Sequence, residues 1–251
     1  MFINNISILY YLAVGLLGLV VGQLVDWANL RLLDYKKIIS KDFFKIYLKN
    51  INIKYINMVI MAIIYLTILF TSGLTLKTLA YLFLAPMLVS ALMIDYKERI
   101  IPNRLNLTIF EVGLIYTFIE GILNINVAID MLLGMFVGAG IFLIITLIGG
   151  LIAGKEAMGL GDVKLMGAIG LFFGWRVIIV ISLIAFLLGA IVGIVVILFR
   201  RKKSSDEYMP FGPFIVIAAF IAMFVPFNLI LIALLKIFTL GTYKISNKYS
   251  N

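Results

Sequence analysis

The 251 residues include neither cysteine nor histidine. Disulfides, cysteine zinc sites and histidine-ligated metals are therefore excluded, and so is catalysis by a Ser-His-Asp triad or a Cys-His pair. If the chain is a hydrolase, it must use carboxylates, a Ser-Lys pair or a metal held by carboxylates.

Charged residues are scarce as well, at 13% of the chain, whereas 64% of the residues are hydrophobic and the mean hydropathy is +1.17. Soluble domains average about 45–50% apolar and about 25% charged residues. The composition therefore predicts a membrane protein, an all-α polytopic helix bundle, rather than a soluble domain.

Apolar runs of about 17–25 residues are long enough to cross a bilayer as helices. Runs at or near this length are 7–30, 55–72, 76–94, 105–123, 127–152, 177–199 and 211–236. A shorter run, 163–175, begins after Asp162 and ends at Gly174-Trp175. We predict about eight transmembrane helices, with a buried half-helix as the alternative for the short run.

Most of the 21 Lys and Arg residues fall in alternate loops of this arrangement. These basic loops are 31–54, 95–104, 153–164 and 200–203. Basic loops face the cytoplasm, so we predict that both termini lie outside. The net charge of +9 then reflects topology and contacts with membrane lipid, and nucleic acid is not an expected partner.

The predicted organisation has three parts: N-terminal spans in 1–79, a second region in 80–240 and a polar tail in 241–251. The basic cytoplasmic loop 31–54 belongs to the first part. Small residues four positions apart are expected to pack helices within one bundle, with a dimer interface as the alternative. These pairs are Gly18 and Gly22, Gly134 and Gly138, and Gly189 and Gly193. They leave the oligomeric state open.

Two acidic residues stand at the ends of apolar runs. Asp95 follows the run that ends at Ile94, and Asp162 precedes the short run 163–175. The predicted topology places both at the cytoplasmic rim, where a compact bundle can bring them together. Ionisable groups there are costly and need a reason. The competing explanations are a helix N-cap for Asp162 and a solvated loop charge for Asp95.

Two neighbouring aspartates can hydrolyse a peptide bond without cysteine, histidine or metal. They share one proton, because both cannot easily ionise at close range. One acts as general base on a water, and the other, protonated, polarises the scissile carbonyl. We predict such a dyad from Asp95 and Asp162, and we assign the proton to neither residue.

The flanking residues suit a site of this kind. Gly159 and Gly161 permit an unusual backbone turn and the close approach of another chain. Pro102 is placed to end a loop and begin a helix. Lys164 favours one ionised carboxylate.

Residues 159–166, GLGDVKLM, resemble the GxGD signature of bacterial type IV prepilin leader peptidases, and KEAM at 155–158 fits the same motif. Asp95, followed by six residues and then Pro102-Asn103, is similar to that family's other aspartate motif. A third element, PFGPF at 210–214, also resembles the family. Three elements in this order are far more specific than GxGD alone.

The resemblance, over about residues 80–235, implies an intramembrane-type aspartic protease of the bacterial cytoplasmic membrane. Asp95 and Asp162 are then the catalytic pair, and proteolysis needs no cofactor. The implied substrates are type IV prepilins or pseudopilins, which carry a basic leader in the cytoplasm, a glycine before the cut and an apolar helix in the bilayer. Asn103 frames the site, and Glu156 either contacts the leader or is a solvated loop acid.

The N-terminal part departs from the family pattern. Many relatives carry a zinc-binding loop with two CxxC pairs and methylate the new N-terminus with S-adenosylmethionine. Without cysteine, no zinc is expected here, and methylation is an open alternative to proteolysis alone. Asp26 either lines a methyl-donor pocket or, as we favour, lies at the membrane interface beside Trp27 and Arg31.

Competing functions have their own signatures. An ion-coupled transporter uses acids near the membrane midplane, and Glu111 is the one deep acid. A preflagellin-type peptidase shares GxGD, although DVKLM at 162–166 and PFGPF favour the prepilin type. A Ser-Lys protease needs a serine beside a cytoplasmic lysine, and the sequence shows no evident pairing of that kind.

Overall fold

Helix dominates the structure, because in a bilayer a helix satisfies its own backbone hydrogen bonds. The computed structural model describes residues 2–3, 6–34, 55–153, 158–199 and 210–239. The predicted basic residues in 35–54 and 200–203, the loop residues Lys155 and Glu156, and the tail 241–251 lie outside the described residues.

Two short antiparallel strands, β1 Phe2–Ile3 and β2 Ile6–Ser7, precede the first helix. The helices that follow are α1 Ile8–Leu33, α2 Tyr55–Ser72, α3 Leu76–Glu98, α4 Asn103–Leu123, α5 Ile125–Ala153, α6 Leu160–Phe199, α7 Gly212–Phe224 and α8 Phe227–Phe238.

Helices α1 to α6 are long and apolar enough to cross a membrane, and α7 and α8 are shorter. Large apolar side chains such as Leu12, Phe118 and Phe136 are more than half exposed on the outside of the bundle. Lipid covers such faces at no cost, whereas water does not. The predicted all-α multi-pass membrane bundle is confirmed, and the predicted sidedness of its termini stays a prediction.

Helix α6 is interrupted at Gly174, where φ is 76° and ψ is 171°. A positive φ of this kind is accessible to glycine at little cost. The Asp130 carboxylate also lies against Gly174, so a Cβ there would have to displace that side chain. The interruption divides α6 into an N-terminal arm, 160–173, and a C-terminal arm, 175–199.

The two arms of α6 run in opposite directions. Gly138 of α5 lies against both Met166 on the N-terminal arm and Ile178 on the C-terminal arm, so the chain turns back on itself between them. The prediction of separate runs at 163–175 and 177–199 is therefore confirmed. The N-terminal arm is about 20 Å long, which is shorter than the roughly 30 Å of a hydrocarbon core.

The predicted single last span, 211–236, is wrong. Helix α7 ends at Phe224, and α8 begins at Phe227 after an extended Val225 and Pro226. Proline cannot donate a backbone hydrogen bond and disfavours helix in the residue before it. The apolar run alone concealed this break, because proline counts little in a hydropathy average.

Two of the three predicted small-residue pairs let helices approach closely inside the bundle, whereas a Cβ on Gly193 of the third pair would have nothing within 4 Å. A Cβ on Gly18 would lie 2.7 Å from the Ala62 Cα of α2. Gly134 of α5 lies against the backbone of Gly170 in α6. Such contacts bring backbones together where lipid gives no hydrophobic force between helices.

Candidate active site

Asp95 lies in the last turn of α3 and is only 3% exposed. The helix ends just beyond it, with Arg99 in the left-handed region at φ 58°. The Asp95 carboxylate Oδ2 accepts a hydrogen bond from the Gly212 backbone N–H at 2.8 Å. Burial and this contact exclude the interpretation of Asp95 as a solvated loop charge.

Gly212 is the first residue of α7, so its N–H is one of the unpaired donors at a helix N-terminus. Such donors, aligned with the helix dipole, stabilise a carboxylate. A Cβ on Gly212 would lie 2.6 Å from Asp95 Oδ2, so only glycine fits there. The sequence indicated the PFGPF element but not this role, and the glycine between two prolines was its signal.

Phe211 fixes the start of α7 in an aromatic cluster. Its ring lies 5.2 Å from that of Phe186 and 5.9 Å from that of Phe142, and Phe214 packs against it at 5.7 Å. Aromatic pairs at these separations contribute more than their buried area alone. The cluster therefore holds the Gly212 N–H in place against Asp95.

The same cluster shows that the site is recessed. Phe142 and Phe186 lie at the level of Phe211, yet α5 continues through 143–153 and α6 through 187–199. At 1.5 Å per residue, α5 extends about 16 Å farther. The aspartates are at the ends of α3 and α6, as predicted, but not at the outermost level of the bundle.

Asp162 lies in the first turn of α6 and is 4% exposed. Its backbone N–H donates to the Gly159 carbonyl at 3.0 Å, which forms the turn that leads into the helix. Because α6 begins at Leu160, Asp162 is inside the helix and is not its N-cap. Its Oδ1 is buried and has no hydrogen-bond partner among the described residues. A buried acceptor without a hydrogen-bond partner can accept a hydrogen bond from a reactant.

The two aspartates line one cavity, with a volume of about 280 Å³. Their carboxyl groups are close enough to interact electrostatically. The other residues of this cavity, termed the dyad cavity, are Arg99, Ile100, Ile101, Asn103, Gly159, Leu160, Gly161 and Lys164. A water occupies about 30 Å³ in the liquid, so the volume can hold a water and part of a peptide strand.

The predicted flanking residues fall at or beside this cavity. Gly159, Gly161, Asn103 and Lys164 line it, and the Lys164 Nζ donates to Asn103 Oδ1 at 2.8 Å. Pro102 is buried as the N-cap residue of α4 and so begins that helix as predicted. Glu156 falls outside the described residues, so its role stays a prediction.

Asn106 makes a contact at the site that the sequence did not predict. It is buried, and its Nδ2 donates to the Gly161 carbonyl at 3.0 Å, joining α4 to the turn before Asp162. A Cβ on Gly161 would also lie 3.3 Å from Ile101. The available signal was the spacing of Asn103 and Asn106, which places both on one face of a helix.

Other candidate acids lie elsewhere. Glu111 is exposed on α4 and does not line the dyad cavity, which removes the main support for a transporter site. Asp26 accepts a hydrogen bond from Asn57 Nδ2 at 2.9 Å, which ties α1 to α2. The Arg31 guanidinium lies 4.5 Å above the Trp27 ring. The Asn57 contact gives Asp26 a structural role, and its place at the membrane interface stays a prediction.

Chemically, the dyad cavity offers two carboxyl groups, a nearby cation and backbone polar groups around a space for one peptide. That is sufficient for general acid–base hydrolysis of an amide. Both aspartates are buried because they line this cavity rather than the protein surface.

Comparison with known proteins identifies similar proteins for the part of the chain that holds both aspartates. The type IV leader peptidase family profile matches residues 82–194, which include both aspartates. The prepilin leader peptidase/N-methyltransferase of Aeromonas hydrophila is 34% identical over 146 residues, covering 58% of this chain and 49% of that protein. The same-named protein of Legionella pneumophila is 33% identical over 152 residues, covering 61% and 52%.

A shorter relative is covered more completely. The leader peptidase HopD of Escherichia coli is 32% identical over 129 residues, which are 51% of this chain and 80% of that protein. The chain spans about half the length of the Aeromonas and Legionella relatives. No solved structure is significantly similar to it.

Proposed function

We propose, because this chain belongs to the type IV leader peptidase family, that it removes the basic leader from type IV prepilins or pseudopilins at the cytoplasmic face of the membrane. The chain is a multi-pass protein of the cytoplasmic membrane. The observation that carries the proposal is the convergence of Asp95 and Asp162 in one cavity. Leader removal is also the activity for which the well-covered Escherichia coli relative, leader peptidase HopD, is named.

The reaction is a hydrolysis by a shared-proton pair. The ionised aspartate takes a proton from water, whose oxygen attacks the scissile carbonyl carbon while the protonated aspartate hydrogen-bonds to the carbonyl oxygen. The C–N bond then breaks, and the amine leaves with a proton from the pair. The products are a leader with a new carboxyl terminus and a pilin with a new amino terminus.

Gly212 and Asn106 are positioning residues in this scheme. Gly212 holds the Asp95 carboxylate through its N–H, and Asn106 holds the turn that presents Asp162. Positioning matters because catalytic groups must lie within hydrogen-bond reach of the reacting atoms. Asp95 on α3 is therefore held by a hydrogen bond from α7, and the turn that carries Asp162 is held by a hydrogen bond from α4.

The test is cleavage of a purified prepilin by the purified full chain, followed on gels and by mass spectrometry. We expect Asp95→Asn and Asp162→Asn each to abolish leader removal, because either change removes half of the pair. Glu111→Gln is the matched control, since it neutralises an exposed acid away from the cavity, and it should cleave normally. Leader removal by either aspartate variant would contradict the mechanism.

Methylation of the new amino terminus is a separate proposal. The Aeromonas and Legionella relatives have N-methyltransferase in their names, but this chain spans only half of each. Asp26, the residue considered for a methyl-donor pocket, accepts a hydrogen bond from Asn57, and we derive no methyl-transfer step. The mass of the mature pilin N-terminus, made with and without the methyl donor, tests this point.

A further inference from the structure

A second cavity, termed the lateral groove, opens beside the dyad cavity. It has a volume of about 540 Å³ and lies between α4, α5 and the N-terminal arm of α6. Its lining is Asn103, Asn106, Leu107, Phe110, Met135, Phe136, Ala139, Val163, Lys164, Gly167 and Ala168. The lining is mostly apolar.

The groove lies between the N-terminal half of α4 and the middle of α5. Only Asn124 joins the two helices at the opposite end, where a Cβ on Gly121 would lie 3.0 Å from that of Ala128. Farther along, the N-terminal arm of α6 lies between them as a floor. Leu107 and Phe136, more than half exposed, form the two edges. The groove is therefore accessible from the lipid side.

The groove and the dyad cavity adjoin, since Asn103 and Lys164 line both. The hydrogen bond from Lys164 Nζ to Asn103 Oδ1 marks the junction. A lysine is accommodated there because long cationic side chains extend their charge toward water. An apolar segment in the groove would thus leave its polar end beside the two aspartates.

The shape suits one face of a helix. The floor is small, formed by Gly167, Ala168 and Ala139, and small residues permit close helix approach in lipid. From Asn103 to Phe110 the groove follows α4 for about 10 Å, or roughly two helical turns. Asn106 Oδ1 lies at this entrance without a partner among the described residues. The first backbone N–H groups of a helix need acceptors of that kind.

We infer that the lateral groove binds the first two turns of the substrate's apolar transmembrane helix and so sets the cleaved bond over the aspartates. This inference rests on the proposed function and adds the surface by which the substrate is recognised. A lipid acyl chain is the competing occupant, and it would confer no dependence on the substrate's apolar segment.

The test uses the absence of native cysteine, which makes single-cysteine variants free of background. Leu107→Cys places a thiol at the groove edge, and Thr108→Cys places one on the same turn outside the lining. Each is combined with Asp162→Asn, to retain substrate, and mixed with a prepilin carrying one cysteine in the first two turns of its apolar segment. We expect oxidation to yield a disulfide with Leu107→Cys and not with Thr108→Cys.

A second measurement uses Ala168→Leu, which narrows the groove floor. We expect the KM for full-length prepilin to rise about tenfold, while a peptide with the leader and cut site but no apolar segment is cleaved at an unchanged rate. Unchanged cleavage of the peptide also shows that the variant is folded.

The outcomes separate the two proposals. Failure of the wild-type chain to cleave prepilin would overturn the proposed function and the groove assignment with it. Cleavage by the wild type, together with equal disulfide yields at 107 and 108 or an unchanged KM for Ala168→Leu, would overturn the groove assignment alone.

Discussion

The backbone N–H of Gly212 donates to the carboxylate of Asp95 at 2.8 Å, although 117 positions separate the two residues along the chain. The contact joins the start of α7 to the end of α3. It makes the PFGPF element part of the candidate active site rather than only the start of a helix.

Substitution of Gly212 tests that role. We expect Gly212→Ala to lower kcat about tenfold to a hundredfold, because a hydrogen bond to a charged group contributes about 1.5–3 kcal/mol and the added Cβ would displace the carboxylate. Gly193→Ala is the control, since nothing lies within 4 Å of that position. Normal turnover by Gly212→Ala would show that the contact does not position Asp95.

Substitution of Asn106 should lower the cleavage rate by less, because it also removes one positioning hydrogen bond but a neutral one. We expect Asn106→Leu, which has nearly the same shape, to reduce cleavage about three- to tenfold, because a neutral hydrogen bond contributes about 0.5–1.5 kcal/mol. Thr108→Val is the comparison, because the Thr108 hydroxyl donates only to the Arg104 carbonyl of its own helix. Initial rates on one prepilin preparation compare the two variants, and equal rates would contradict the role of Asn106.

The convergence of Asp95 and Asp162 was predictable because each stands at the end of an apolar run, and the alternation of basic loops places both ends on one side. The contact of Asp95 with Gly212 was not predictable, because no local sequence pattern indicates which helix N-terminus lies beside which helix C-terminus. Asn106 was missed for the same reason, as its partner is a backbone carbonyl 55 positions away.

Of the two breaks in the apolar helices, the sequence predicted one and not the other. The reversal at Gly174 was predictable because loop charges required an extra crossing, and a Gly-Trp-Arg sequence interrupts the apolar run. Pro226 is a sequence signal for the break between α7 and α8. Proline also occurs inside α3 at Pro86, however, where the helix continues. The surrounding packing decides between these outcomes.

The reversal in α6 has a stability consequence. We expect Gly174→Ala to lower the free energy of unfolding by more than Gly73→Ala, although both glycines have positive φ. Gly73 has open space around it and shows only the backbone strain, about 1–2 kcal/mol, whereas a Cβ on Gly174 also collides with Asp130. Thermal unfolding in one detergent measures the difference, and equal midpoints would argue against the tight turn.

Close packing of α1 on α2 gives another comparison. We expect Gly22→Ala to destabilise the chain by about 1–3 kcal/mol, because its Cβ would lie 2.7 Å from the Met58 Cα and the backbone must shift. Gly15→Ala should be nearly neutral, since the nearest atom is the Leu66 Cδ2 at 3.5 Å. Denaturation curves for both variants check this, and a large loss for Gly15→Ala would show a different α1 contact.

The apolar ends of α5 and α6 beyond Phe142 and Phe186 affect what a substrate must do. Their exposed side chains, including Leu151 and Phe199, belong in lipid, which sets the reaction below the membrane surface. An amide inside an intact helix is shielded, so under the proposed function the first turn of the substrate helix has to uncoil there before it is cut. Glycine costs a helix about 1 kcal/mol relative to alanine. The glycine that the resemblance implies before the cut would therefore make uncoiling easier beside the aspartates.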